Sequence, residues 1–111
     1  MKFTESYRKL RSRLLEGPGV TARELRQRVC AYAESLAEKP EADNPFEGPL
    51  AKWVEKVARY AYKTLPGEVE AMKQNGQSED EIFELTIAAA IGAASGRYER
   101  ALLSIKKGYA E

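Results

Sequence analysis

The chain has 111 residues, of which 43% are hydrophobic and 32% charged, and its 18 basic residues nearly cancel its 17 acidic ones. This composition predicts one globular domain and excludes intrinsic disorder, which requires low hydrophobicity and a large charge imbalance. The absence of histidine excludes histidine catalysis and histidine metal ligands. We expect neither a signal peptide nor a membrane span, because no apolar run reaches the roughly 20 residues that a span requires.

Cys30 is the only cysteine, so one chain cannot form an internal disulfide, and we expect a reducing, cytoplasmic location. Without histidine, the thiol would need a neighbouring cation such as Arg26 to become a nucleophile. A lone cysteine beside an apolar helix face is more typical of a small buried side chain. The sequence also contains no spacing of ligands that predicts a metal or a cofactor.

The positive charge is concentrated near the N-terminus, where residues 1–30 carry eight basic and three acidic side chains. Such a region can steer an acidic partner or nucleic acid towards the protein. However, no aromatic residues alternate with the basic ones as they do in a surface that stacks bases. The pattern favours the solvated faces of two amphipathic helices.

Apolar residues at helical spacing predict a first helix from Thr4 to Glu16, which ends at a Gly-Pro-Gly turn. Thr21 and Glu24 fit a capping box, in which each side chain accepts a bond from a free backbone N–H at the start of the second helix. The second helix is expected to end at Lys39 and Pro40. The acidic, proline-containing residues 38–48 are predicted to form a loop.

A third helix is predicted to start near Pro49, because proline is tolerated in the first turn, and to end at Leu65, before Pro66 and Gly67. Its apolar spacing places Trp53 on the buried face. A short fourth helix, 68–75, follows and ends at a capping glycine, Gly76.

The last helix is predicted from a second capping box at Ser78 to Lys107. Thirty residues span about 45 Å, which exceeds the width of a domain whose radius of gyration is about 13 Å. This length predicts either a break around residues 92–96 or an end that reaches another subunit. The alanine-rich segment 86–95 is apolar on every side, so we expect it at the centre of the fold.

These elements predict a single all-α domain, 1–111, of about five helices. It divides into N-terminal helices and a loop, 1–48, and a helical core, 49–108.

Residues 76–102 read GQSEDEIFELTIAAAIGAASGRYERAL, in which a glycine, a capped S-x-x-E-I start, an alanine-rich helix and an arginine follow one another. Over about residues 50–107 the chain resembles the carboxymuconolactone decarboxylase and alkylhydroperoxidase D family. The resemblance implies an alkylhydroperoxidase D-like helical fold. It also implies assembly as trimers or hexamers, with the central helices packed between subunits.

The redox branch of that family uses a Cys-x-x-Cys pair and a histidine. In the matching register these positions fall on Ala61, Thr64 and Glu68, and the family's preceding glutamate falls near Pro49. A dithiol stores the two electrons of that chemistry, and neither alanine nor threonine replaces it. The resemblance therefore implies a member that has lost its dithiol peroxidase and disulfide reductase activity.

The leading functional prediction is a non-redox, homo-oligomeric module for ligand binding or protein interaction. Its candidate ligand-binding residues are Trp53, Tyr60, Lys63 and Thr64. One alternative is an acid–base enzyme acting on a small lactone, hydroxy acid or carbonyl compound, with Glu68 as the candidate catalytic residue. A second alternative, ranked last, is a regulator that binds an acidic partner or nucleic acid through the basic N-terminal helices; no membrane partner is expected.

Overall fold

The computed structural model describes residues 2–60 and 66–110, and in these residues it contains helices and no strands. The all-α prediction is therefore confirmed for the described part of the chain. Five helices follow one another: α1 (Lys2–Glu16), α2 (Arg23–Ser35), α3 (Gly48–Tyr60), α4 (Pro66–Gln74) and α5 (Glu79–Ala110).

The first part of α5 lies at the centre of the fold, where α5 packs chiefly against α2 and α3. Ala88, Ala89 and Ala93 are buried there, as expected. Ala90 and Ala94 are exposed, so the prediction that the alanine-rich segment is buried on every side is correct for one side only. The core between these helices is completed by large apolar side chains with almost no exposure: Val29, Val54, Met72 and Leu85.

Two glycines allow α2 and α5 to approach closely. A Cβ atom built at Gly92 would overlap the carbonyl oxygen of Cys30 and lie 3.0 Å from the Cβ of Ala33. At Gly96 the same atom would lie 2.5 Å from the carbonyl oxygen of Glu34. The matched spacing of four residues shows that α2 and α5 run in the same direction. Neither glycine interrupts α5, so the predicted alternative of a break at residues 92–96 is wrong.

Helices α3 and α4 form an antiparallel pair. Lys56 on α3 pairs with Glu68 on α4, whereas Gly48 at the start of α3 lies near Asn75, just beyond the end of α4. Gly48 and Gly76 both have positive φ angles, 65° and 95°, which glycine adopts without steric cost.

The two predicted capping boxes have opposite outcomes. At α5, the Ser78 backbone N–H donates to Glu81 and the Glu81 N–H donates to the Ser78 hydroxyl, at 3.0 and 3.2 Å, as predicted. At α2 the prediction is wrong, because the N-cap residue is Ala22 and no side chain caps the helix. The Thr21 hydroxyl instead donates to the carboxylate of Glu84 on α5, so a tertiary contact replaces the local one.

The second part of α5 projects from the rest of the structure. Every side chain from 97 to 107 is exposed, and the molecule measures 53 × 30 × 22 Å. Its radius of gyration is 15.0 Å, compared with about 13 Å for a compact domain of this length. At its start, Arg97 and Arg100 donate to the carbonyl oxygens of Ala58 and Ala37. Its apolar side chains stay exposed within a single copy.

Candidate functional site

The described residues do not bring the predicted site residues into one pocket. Trp53 is buried in the core, and its indole N–H donates to the Thr86 hydroxyl at 2.7 Å. Glu68 lies instead between α3 and α4, where it pairs with Lys56. Lys63, Thr64 and the side chain of Tyr60 lie outside the described residues, so the predicted ligand site stays a prediction.

An open cleft of about 460 Å³ lies beside Glu68. Its walls come from the start of α3 and from α4, and they include Pro49, Lys52 and Ala71. The Glu68 Oε1 atom binds Lys56, whereas its Oε2 atom is buried and has no hydrogen-bond partner among the described residues. The cleft is therefore lined by the Glu68 side chain and by Lys52, and Lys56 lies with Glu68 at a neighbouring cleft.

A buried ionic network that sequence analysis missed joins α1, α2 and α5. Arg26 is almost completely buried, and its guanidinium donates to the carbonyl oxygens of Leu14 and Gly17 at the end of α1. Its Nε atom lies 3.2 Å from Glu84 Oε1, as an ion pair without hydrogen-bond alignment. Helical spacing places Arg26 on the same face as buried Val29 and Cys30, but its partners lie on other elements and could not be read from the local pattern.

The Glu84 carboxylate also binds the loop between α1 and α2. It accepts the backbone N–H groups of Val20 and Thr21, both at 3.0 Å, in addition to the Thr21 hydroxyl. Burial acts to raise the pKa of Glu84, but the bonds from Thr21 and Val20 and the charge of Arg26 together lower it below its ordinary value. Because Arg26 and Glu84 are both bonded to protein groups, we interpret the network as structural. It holds the end of α1 and the following loop against α2 and α5.

Cys30 lies beneath α1 and is 1% exposed, which confirms the predicted buried position. Burial raises the pKa of its thiol, and the Arg11 guanidinium offsets only part of that effect. Arg11 itself binds Glu34 and Ser95, each at 3.0 Å. A buried thiol with a raised pKa is a poor nucleophile.

A row of exposed and half-buried apolar side chains runs along one face of α5; we call it the outer stripe. At 100° per residue its members fall within an arc of about 80°. Phe83, Tyr98 and Ile105 are 67%, 54% and 54% exposed. The other members of the stripe are exposed, except Ile87, which is half-buried. The outer stripe consists of Phe83, Ile87, Ala90, Ala94, Tyr98, Ala101 and Ile105.

Sequence analysis recognised the apolar character of α5 but not this one-sided exposure. α1 approaches the flank of the outer stripe at two points, since the Tyr7 hydroxyl donates to the Ile91 carbonyl at 3.4 Å and Arg11 binds Ser95. The stripe itself stays open from Phe83 to Ile105.

The basic N-terminal region presents Arg8, Lys9 and Arg13 on the outer face of α1. Ser12 and Glu16 bond to each other on the same face. No exposed aromatic side chain is described there, so the geometry adds no base-stacking element to the charge.

Among the described residues, no group of three or more carboxylate or cysteine side chains is arranged to hold a metal ion. In the same residues, no helix is both long and apolar enough to cross a membrane. Comparison with known proteins finds no match to a family model, a curated protein or a solved structure.

Proposed function

We propose that this protein is a non-redox helical interaction module that associates with further copies of itself through the outer stripe of α5. The observation that carries the proposal is the exposure of this stripe over 23 residues, about 33 Å of helix. Helices in globular proteins normally bury such a stripe against a neighbour, and within one copy the described residues supply none.

The exposed area is sufficient for an interface. Taking about 200 Å² for a fully accessible aromatic side chain, the stripe offers about 500 Å² per copy. Two stripes together would bury about 1,000 Å², which is the lower bound for a specific protein–protein interface. The three smaller members between Phe83 and Tyr98 favour close contact of two helices: Ile87, Ala90 and Ala94.

Non-redox function is supported by the state of the only thiol. Cys30 is buried and its pKa is raised, and a single cysteine in the chain cannot store two electrons as an intramolecular disulfide. The likeness to the alkylhydroperoxidase D family, and the trimer or hexamer that it implies, stay expectations of the sequence.

The mass of the protein in solution tests this proposal. Light scattering after size-exclusion chromatography is expected to give a multiple of the 12.4 kDa chain mass at micromolar concentration. A strict monomer at 100 µM would overturn the proposal.

Two matched variants on the projecting part of α5 test the surface itself. Ile105→Glu places a charge in the outer stripe and is expected to shift the protein to monomer. Leu103→Glu is the control, because Leu103 is 58% exposed but lies on the opposite face of the helix from the outer stripe. It is expected to leave the mass unchanged. Equal dissociation by both variants would mean that the stripe is not the contact surface.

The cleft at Glu68 favours a second candidate function, an acid–base enzyme on a small carbonyl compound. The supporting observations are that the Glu68 side chain lines the cleft together with Lys52 and that its buried Oε2 atom has no partner among the described residues. Glu68→Gln is expected to abolish turnover of a lactone or hydroxy acid while the helical circular dichroism signal is retained. Turnover that survives this substitution would remove Glu68 as the catalytic group.

A further inference from the structure

We infer that two copies pair through their α5 helices in antiparallel orientation, centred on Ala94, so that Phe83 of each copy contacts Ile105 of the other. This inference rests on the proposed self-association and adds its geometry. It is argued from the order of side-chain sizes along the outer stripe and from the charges at its two ends.

The sizes of the stripe residues are complementary when one stripe is reversed. With Ala94 opposite Ala94, Tyr98 faces Ala90 and Ala101 faces Ile87, so that a large side chain meets a small one at each of these levels. Alternating large and small residues in this way lets two helices interdigitate at close separation. A parallel pairing in register would instead place Tyr98 against Tyr98 and Ala90 against Ala90, which leaves a crowded level and an empty one.

The charges at the two ends of α5 also favour the reversed pairing. Its first turn is acidic, with Glu79, Asp80 and Glu81, and its last turn contains Lys107. Antiparallel pairing brings the acidic end of each copy beside the basic end of the other, whereas parallel pairing brings like charges together.

Asp80 and Lys106 mark this contact most clearly. Both side chains are exposed. At 100° per residue, Asp80 lies at one edge of the outer stripe and Lys106 lies about 80° further round on the same side. When two identical helices pair in antiparallel orientation, residues on one side of the contact face of the first helix lie next to residues on the same side of the second. Asp80 of one copy therefore lies near Lys106 of the other, and the contact occurs twice.

The projection of α5 makes this pairing sterically possible. Beyond Arg100, whose side chain still bonds to Ala37, residues 101–107 are exposed on every side and can lie along the first turns of α5 in a second copy. Because both copies use the same surface, the arrangement is a closed two-fold dimer and does not propagate into a fibre.

Disulfide crosslinking distinguishes the orientations. In a Cys30→Ala background, Ala101→Cys and Ile87→Cys proteins are prepared separately, mixed, and oxidised. Antiparallel pairing predicts a crosslink between the unlike variants, because a disulfide requires Cα atoms within about 7 Å. Two copies of Ala101→Cys lie about 20 Å apart along the helix axes in this arrangement, so that variant alone is expected to stay uncrosslinked.

The pair Ala90→Cys and Tyr98→Cys repeats the test at another level in case the first pair does not fold. Rapid self-crosslinking of Ala101→Cys would indicate parallel helices and overturn the inference, although the proposed self-association would stand. A dimer in which neither unlike pair crosslinks would overturn it as well. A monomeric wild-type protein would overturn both proposals.

A charge exchange gives an independent readout. Asp80→Lys is expected to weaken the dimer about fivefold, in keeping with the modest strength of exposed ion pairs, and adding Lys106→Glu is expected to restore it. Both the weakening by Asp80→Lys and the restoration by Lys106→Glu should be smaller at 1 M salt, which screens exposed charges. If Lys106→Glu fails to restore the affinity of Asp80→Lys, Asp80 and Lys106 do not meet, and the register is wrong.

Discussion

The two parts of α5 belong to one unbroken helix and are both rich in apolar residues, yet their surroundings differ completely. Residues 79–96 pack against α2 and α3, whereas residues 97–107 are exposed throughout. Leu85 is 1% exposed and Leu103 is 58% exposed. Helical propensity and apolar content therefore do not determine burial here; the presence of neighbouring helices does.

Replacing one leucine by alanine in each part of α5 is expected to give the largest difference in the free energy of unfolding. Leu85→Ala is expected to lower the free energy of unfolding by about 4 kcal/mol, because it leaves a cavity in a packed core. Leu103→Ala is expected to change it by less than about 0.5 kcal/mol, as for other exposed positions. Urea denaturation at one protein concentration measures both, and similar losses would show that residue 103 is also covered.

A comparison of two glutamates is expected to give the next largest difference. Glu84→Gln removes the charge that balances buried Arg26 and is expected to destabilise the fold by about 3 kcal/mol. Glu99→Gln, on the exposed part of α5, is the control and is expected to be close to neutral. Equal stability of the two variants in thermal denaturation would mean that the network at Arg26 does not hold α1 in place.

Adding one methyl group at the contact of α2 and α5 tests how closely these helices pack. Gly92→Ala is expected to destabilise the protein by about 2 kcal/mol, because the new atom would overlap the Cys30 carbonyl. Gly67→Ala, in a helix position with open space around it, is expected to be neutral or stabilising. A neutral Gly92→Ala measured by urea denaturation would contradict the close approach.

The smallest expected effect is a dependence of stability on pH through Glu84. Because its pKa is lowered in the folded state, its contribution is fully present above the unfolded pKa of about 4.3. That contribution is lost as the pH falls through the folded pKa. Wild-type protein should therefore lose more stability than Glu84→Gln between about pH 5 and pH 2. Urea denaturation at several pH values measures this, and an equal fall of the urea midpoint in both proteins would contradict the lowered pKa of Glu84.

Elements formed by neighbouring residues were predictable from the sequence. The second capping box, with Ser78 and Glu81, forms as predicted because all its bonds are within one turn of the chain. The burial of Cys30, beside the apolar face of α2, is also consistent with the local pattern. The apolar alanine-rich segment is buried on one side only, because Ala90 and Ala94 are exposed. The prediction for Thr21 is wrong for the opposite reason, since Glu84, 63 residues later, competes successfully for its hydroxyl.

The candidate site was less accessible to sequence analysis than the fold. Helical spacing placed Trp53 on a buried face, but its hydrogen bond to Thr86 depends on the packing of α3 against α5. The partners of Glu68 and Arg26 likewise lie on other helices. The outer stripe is present in the sequence at helical spacing, but the same apolar segment also supplies the core face, and spacing alone does not separate the two.

The amino-acid sequence by itself determined the helices, their order and the absence of a second cysteine and of histidine, because these depend on near neighbours and on composition. Only the tertiary structure decided which side of α5 the chain covers and which side it leaves open. That choice depends on where α2 and α3 pack. The close contact of α2 with Gly92 and Gly96 on α5 brings together residues about 60 positions apart in the chain.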